Sequence, residues 1–137
     1  MSGDSAGGNL SCAIALRAIE ENIRLPIGLL LHYPAVNLTE DGSLSRLIFS
    51  NDPILNYQTM RVVLDCYLGN CLNAANSNHF ISPAVASDEM IAKFPTTVIC
   101  VGDVDPLIDD STYLFSRLQK VLLEIHHYFL SIPKLFR

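Results

Sequence analysis

Charge is what this chain has least of. Only 17% of its 137 residues are Asp, Glu, Lys or Arg, against about a quarter in an average globular domain. Nine basic residues set against 14 acidic ones leave a net charge of -5. That excludes a nucleic-acid partner, which needs clustered Lys and Arg. No apolar run reaches the roughly 18 residues of a membrane span; the longest, 26–33, is strand-sized. The first residues show neither the basic nor the apolar region of a secretory leader. The four cysteines, Cys12, Cys66, Cys71 and Cys100, form no CxxC pair and no disulfide framework. Cys12 and Cys100 lie in apolar segments and read as small core residues. Cys66 and Cys71 fit no zinc-ligand spacing with His79, so no metal is expected. A reduced, cytosolic setting follows, and the glycan-acceptor matches at Asn9 and Asn37 then read as chance. Repeats and low-complexity linkers are missing too, and the length allows one domain at most.

What remains is an alternation of two periods. Residues 7–21 place Leu10, Ala13, Ile14, Leu16 and Ile19 at helical spacing, and Pro26 follows as a stop. Residues 27–33 (IGLLLHY) form a continuous apolar run, which suits a parallel strand covered on both faces. Residues 37–53 are rich in Ser, Asp and Asn and read as loop. Residues 57–68 are a helix candidate through Met60, Val63, Leu64 and Tyr67, and 88–94 a short helix. Thr96 to Val101 is a second strand by its β-branched residues. Asp109 or Asp110 caps a helix running to about Lys120, and 121–125 reads as a third strand. Strand, helix, strand is the α/β pattern.

The chemistry sits at the start of the chain. Gly3-Asp4-Ser5-Ala6-Gly7 is a G-x-S-x-G match followed by an apolar helix. In such an elbow the serine occupies a strained strand-to-helix turn. Small residues two before and two after let the turn close. The hydroxyl then stands above a helix N-terminus, and the N–H of Ala6 faces a developing oxyanion. A bare pentapeptide also suits any Gly-rich turn before a helix. The extended octet Gly3 to Leu10, GDSAGGNL, is far more specific.

The octet resembles the hormone-sensitive-lipase branch of the α/β-hydrolases. So do Tyr33-Pro34-Ala35 after the apolar strand, Ser43-Leu44-Ser45-Arg46-Leu47, Asp52-Pro53, Tyr67-Leu68-Gly69 and Ile81-Ser82-Pro83. The resemblance implies the C-terminal portion of an α/β-hydrolase fold over residues 1–137, with three parallel strands and the N-terminal half of the sheet missing. It implies Ser5 as nucleophile of a carboxylic-ester hydrolase that acts on acylglycerols or other acyl esters through an acyl-serine. No cofactor is implied. The setting it implies is lipid catabolism, in the cytoplasm or at lipid droplets.

In the family the acid lies in an Asp-Pro-Leu turn after a strand. The resemblance therefore selects Asp105 of Asp105-Pro106-Leu107, with Asp103 as competitor. Asp105, Asp109 and Asp110 lack the Gly and terminal Glu of a calcium loop. The family base stands in a His-Gly-Phe segment. His127-Tyr128-Phe129 is similar, with Tyr for Gly, so the resemblance implies His127. His126 beside it, or a divergent tail with no base, are the alternatives, because the stretch from Asp105 to His127 is short for a helix, a turn and a strand. The chain has no His-Gly-Gly run, which in the family completes the oxyanion hole. A truncated, inactive product or a pseudo-esterase that binds a lipid or protein is the other expectation. In that case the strand at 27–33 leaves an open sheet edge through which another chain could pair.

Overall fold

A computed structural model describes residues 1–39, 43–69, 71–121 and 127–133. In the described residues the elements run β1 (Ser2–Asp4), α1 (Ala6–Glu20), β2 (Gly28–His32), α2 (Leu44–Ile48), α3 (Tyr57–Leu68), α4 (Asp88–Ile91), β3 (Thr96–Gly102), α5 (Ile108–Val121) and β4 (Tyr128–Ile132). Short 3₁₀ turns cover Leu72–Asn76 and Pro83–Val85.

The sheet has four parallel strands in the order β1-β2-β3-β4, where the sequence suggested three. The addition is β1. Three residues leading into the elbow suffice to pair, with Ser2 opposite Leu30 and Asp4 opposite His32. The inner edge of β2, expected to be open, is therefore covered by β1.

The third strand also moves. It was expected at 121–125, but α5 extends through Val121 and residues 122–126 lie outside the described set. The observed strand, β4, pairs Val98 with Tyr128 and Gly102 with Ile132.

Strand order fixes the layers. Parallel strands in sequential order need crossovers of one hand, and right-handed crossovers place their helices on one face. Accordingly Leu29, Leu31 and Ile99 are buried in one cluster with Cys12, Ala15 and Leu16 of α1 and Leu114 and Leu118 of α5. Phe129 joins them, its ring 5.2 Å from that of Phe115. The opposite face carries Leu30, Tyr128, Leu130 and Ile132, all exposed. So β2 is covered on one face among the described residues, not on both. Burial pushes the Cys12 thiol up to about 12, which keeps it an inert core residue.

Candidate active site

Ser5 lies between β1 and α1 with φ 50° and ψ -117°, a conformation costly for any residue with a Cβ. Three backbone bonds hold it. Its N–H donates to the His32 carbonyl at 2.9 Å, and its carbonyl accepts from Asn9 and Ala35 at 3.2 Å each. The turn needs glycine at two positions. A Cβ on Gly3 would lie 2.2 Å from the Gly7 oxygen, and one on Gly8 would lie 2.7 Å from Pro34 Cβ. Gly7 is different from the sequence reading: its Cβ would meet nothing nearer than Asp4 Oδ1 at 3.9 Å.

Asn9, the seventh residue of the octet, was read from the sequence only as a chance glycan-acceptor match, with no role in the site. It is buried, and its Nδ2 donates to the Ala35 carbonyl at 2.7 Å and the Ile81 carbonyl at 2.8 Å. One amide thus ties the elbow helix to the two loops that flank it. Its place as the polar residue between apolar helix positions was the available signal.

Ser5 opens onto a cavity of about 190 Å³. Leu10 of α1, Leu38, Met60, Val63 and Tyr67 of α3, and Leu107 form its walls. Almost all of that lining is hydrocarbon. An apolar cavity of ~150 Å³ holds a benzene ring, so this one has room for an apolar group of about that size.

Leu107 belongs to the turn that follows β3, so the Asp-Pro-Leu segment and Ser5 meet at the carboxyl end of the sheet. Asp105 Oδ1 accepts from the Leu107 N–H at 2.8 Å. Burial raises the Asp105 carboxyl above its ordinary range, and the charge of Asp52 adds to that. Asp103 is exposed, and its N–H donates to the Ile132 carbonyl at the end of β4.

His127 is not brought to this edge, which corrects the sequence expectation. It precedes β4 instead of following it. Its Nδ1 accepts from the Thr97 N–H at 3.2 Å, at the amino end of β3. Ser5 stands one residue beyond the level of Asp4, His32 and Cys100. Along the strands alone that puts roughly 13 Å between them, at ~3.3 Å per residue. Burial lowers the His127 pKa, and a Nδ1 that accepts a hydrogen bond belongs to a neutral ring. His126 lies outside the described residues. His79 pairs with Glu20 at 2.9 Å near the far end of α1. His32 alternates with the buried Leu31 and projects from the sheet face opposite α1.

The comparisons agree with this geometry. Residues 1–129 match the family described as alpha/beta hydrolase fold. An esterase of Fusarium pseudograminearum is 32% identical over 121 residues, 88% of this chain and 37% of that protein. Human hormone-sensitive lipase is 41% identical over 69 residues, 50% of this chain and 6% of that protein. Among solved structures, carboxyl esterase 2 of Tuber melanosporum superposes with a TM-score of 0.87 at 32% identity. That match covers 96% of this chain and 42% of the esterase. The chain thus spans about two fifths of the esterases it matches. With a strained serine on a strand-to-helix turn, an Asp-Pro-Leu turn at the same sheet edge and this match across nearly its whole length, the chain belongs to the alpha/beta hydrolase fold family.

Proposed function

We propose that residues 1–137 supply the nucleophile, the acid and part of the substrate pocket of a carboxylic-ester hydrolase. The observation that carries the reading is Ser5, held at positive φ over an apolar cavity with the Asp105 turn beside it. Ser5 Oγ attacks the ester carbonyl, and the Ala6 N–H donates to the oxyanion as the carbonyl bond opens. The hydroxyl proton passes to a histidine and from it to the leaving alcohol. Water then cleaves the acyl-Ser5 ester by the same steps. Asp105 holds that histidine in the correct tautomer.

In this reading the histidine stands after β4, where Ile132 meets Asp103. Residues 133–137 (PKLFR) hold none. Activity is therefore a property of the protein that joins this stretch to a histidine and to a second oxyanion donor. The stretch alone reacts slowly, since each missing donor costs about 10²–10³ in rate.

The cavity favours esters with a short apolar acyl group, and the likeness to hormone-sensitive lipase brings acylglycerols into the same class. A series of p-nitrophenyl esters from acetate to decanoate, given to the full-length native protein, tests this. The expected optimum is at short chains, and rates that climb steadily to decanoate contradict it. A second reading draws on the remoteness of His127: a pseudo-esterase that binds an apolar ligand at the same cavity. Ligand binding without turnover of any ester in the series selects it.

A further inference from the structure

The segment between β2 and α3 does not simply roof the cavity. It is locked onto the turn that carries Asp105. Ser45, buried, donates from Oγ to the Pro106 carbonyl at 2.7 Å and from its N–H to Asp109 Oδ2 at 2.8 Å. One residue on, Arg46 Nη2 donates to Asp110 Oδ2 at 2.7 Å and also to the Asn37 carbonyl. The same Asp110 oxygen accepts from the Asn37 N–H at 3.0 Å. Asn37 adjoins Leu38, and Pro106 lies between Asp105 and Leu107; Leu38 and Leu107 are both cavity walls. Arg46 and Asp110 therefore join the loop after β2, α2 and the N-terminus of α5 at one buried point.

A buried ion pair is an uneconomical way to gain stability, because desolvation of two charges offsets most of their attraction. Here the carboxylate side chain is fully buried and the guanidinium is 10% exposed. Directional bonds explain the pair better than net stabilisation does. An apolar pair would fill the space but would not bond the Asn37 backbone to α2 and the N-terminus of α5, beside the Ser45 bond that holds the acid turn.

We infer that Arg46, through Asp110, is a positioning residue for the proposed hydrolysis: it fixes the Asp105 turn and the Leu38–Leu107 walls as one unit relative to Ser5. This rests on the ester-hydrolase reading. Neither residue touches the substrate. Their effect is exerted on the placement of Asp105, and through it on the basicity of the histidine that Asp105 orients. A displacement of about 1 Å at a catalytic group costs up to ~10²-fold in rate.

The test compares the full-length native protein with R46K and with the double variant R46M/D110L. The double variant fills the volume without leaving a lone buried charge, and circular dichroism verifies its fold. Rates are referred to the active sites counted with a fluorophosphonate, on a short p-nitrophenyl ester. The expected result for the double variant is kcat lower by about 10- to 100-fold, KM within about twofold, and the acid limb of the pH profile moved to lower pH. R46K, which restores the charge but not the planar fork, recovers part of the rate. A double variant with native kcat and native acid limb overturns the inference while leaving the ester-hydrolase reading intact. A native protein that neither turns over esters nor reacts at Ser5 overturns both.

Discussion

A methyl group at residue 3 would have to displace the Gly7 carbonyl, which lies 2.2 Å from where its Cβ must go. Backbone cannot yield that far without opening the elbow. Gly3→Ala is expected to cost about 3 kcal/mol of stability and to abolish reactivity of Ser5. Gly7→Ala is expected to do the opposite. Its Cβ enters open space on a helix, where Ala is favoured over Gly by up to ~1 kcal/mol. Chemical denaturation of the two variants checks the pair of signs. So the G-x-S-x-G pattern contains one glycine that the turn requires and one that this turn tolerates losing, whereas Gly8, outside the pattern, is pinned against Pro34. At the acid, Asp105→Asn keeps the bond from the Leu107 N–H but cannot hold an imidazolium. A fall of about 10⁴ in kcat is expected by analogy with a serine-protease triad, with little change in melting temperature. Asp103→Asn, in the competitor, is expected to change kcat less than about threefold, on the scale of a surface substitution of less than ~0.5 kcal/mol.

Elements with a clear period were legible in the sequence, and those without were not. The helix over Tyr57–Leu68 has the bounds its apolar spacing suggested. Thr96–Gly102 differs from the reading by one residue. α2 was missed because Ser and Asp around it read as loop, although Ser43 before Leu44, Leu47 and Ile48 is a cap followed by i, i+3, i+4 spacing. β1 was missed because three residues have no periodicity to show. β4 misled for a physical reason. Only Phe129 of its side chains joins the core, while Tyr128, Leu130 and Ile132 are exposed, so the apolar stretch just before it gave the stronger strand signal. Moving the strand past His127 turns that residue from one that follows a strand into one that precedes it. In a parallel sheet those are opposite edges, and the reading of His127 as base changes with it.

His127 then acts at the level of the β3–β4 pair. Its folded pKa lies below the ordinary 6.5 through burial. Below pH 6.5 the unfolded chain takes up a proton that the folded state resists, so stability falls as pH falls through that window. Burial pushes the Asp110 carboxyl up to about 6, which acts in the opposite direction over the same window, so the His127 contribution is read as a difference: the urea midpoint of the native chain relative to His127→Leu is expected to fall between pH 7 and pH 5. Unchanged pH dependence in the variant contradicts the buried, neutral ring.

At the scale of the whole molecule, α1 and α5 pack on the same face of a sequentially ordered sheet, and the chemistry gathers at its carboxyl edge. That arrangement follows from parallel strands joined by right-handed crossovers, and ligand sites in such sheets lie outside the carboxyl ends of the strands. The position of Ser5 and of the acid turn was therefore legible once the elbow and the strand before Asp105 were found. What local sequence could not convey is which buried contacts bind the two together. Arg46 and Asp110 lie far apart in sequence, and nothing in either neighbourhood names the other. No described helix is long and apolar enough to cross a membrane.

In the proposed reading Ser5 is an activated nucleophile, and its base is a residue other than His127. Fluorophosphonate labelling of the full-length native protein, with the labelled residue located by mass spectrometry, tests it most directly. Label is expected on Ser5, none on Ser5→Ala, and label retained by a folded His127→Gln variant at a rate within about threefold of the native protein, since a residue roughly 13 Å away along the sheet takes no proton from Ser5. Label that disappears from folded His127→Gln, or never forms on Ser5, contradicts it.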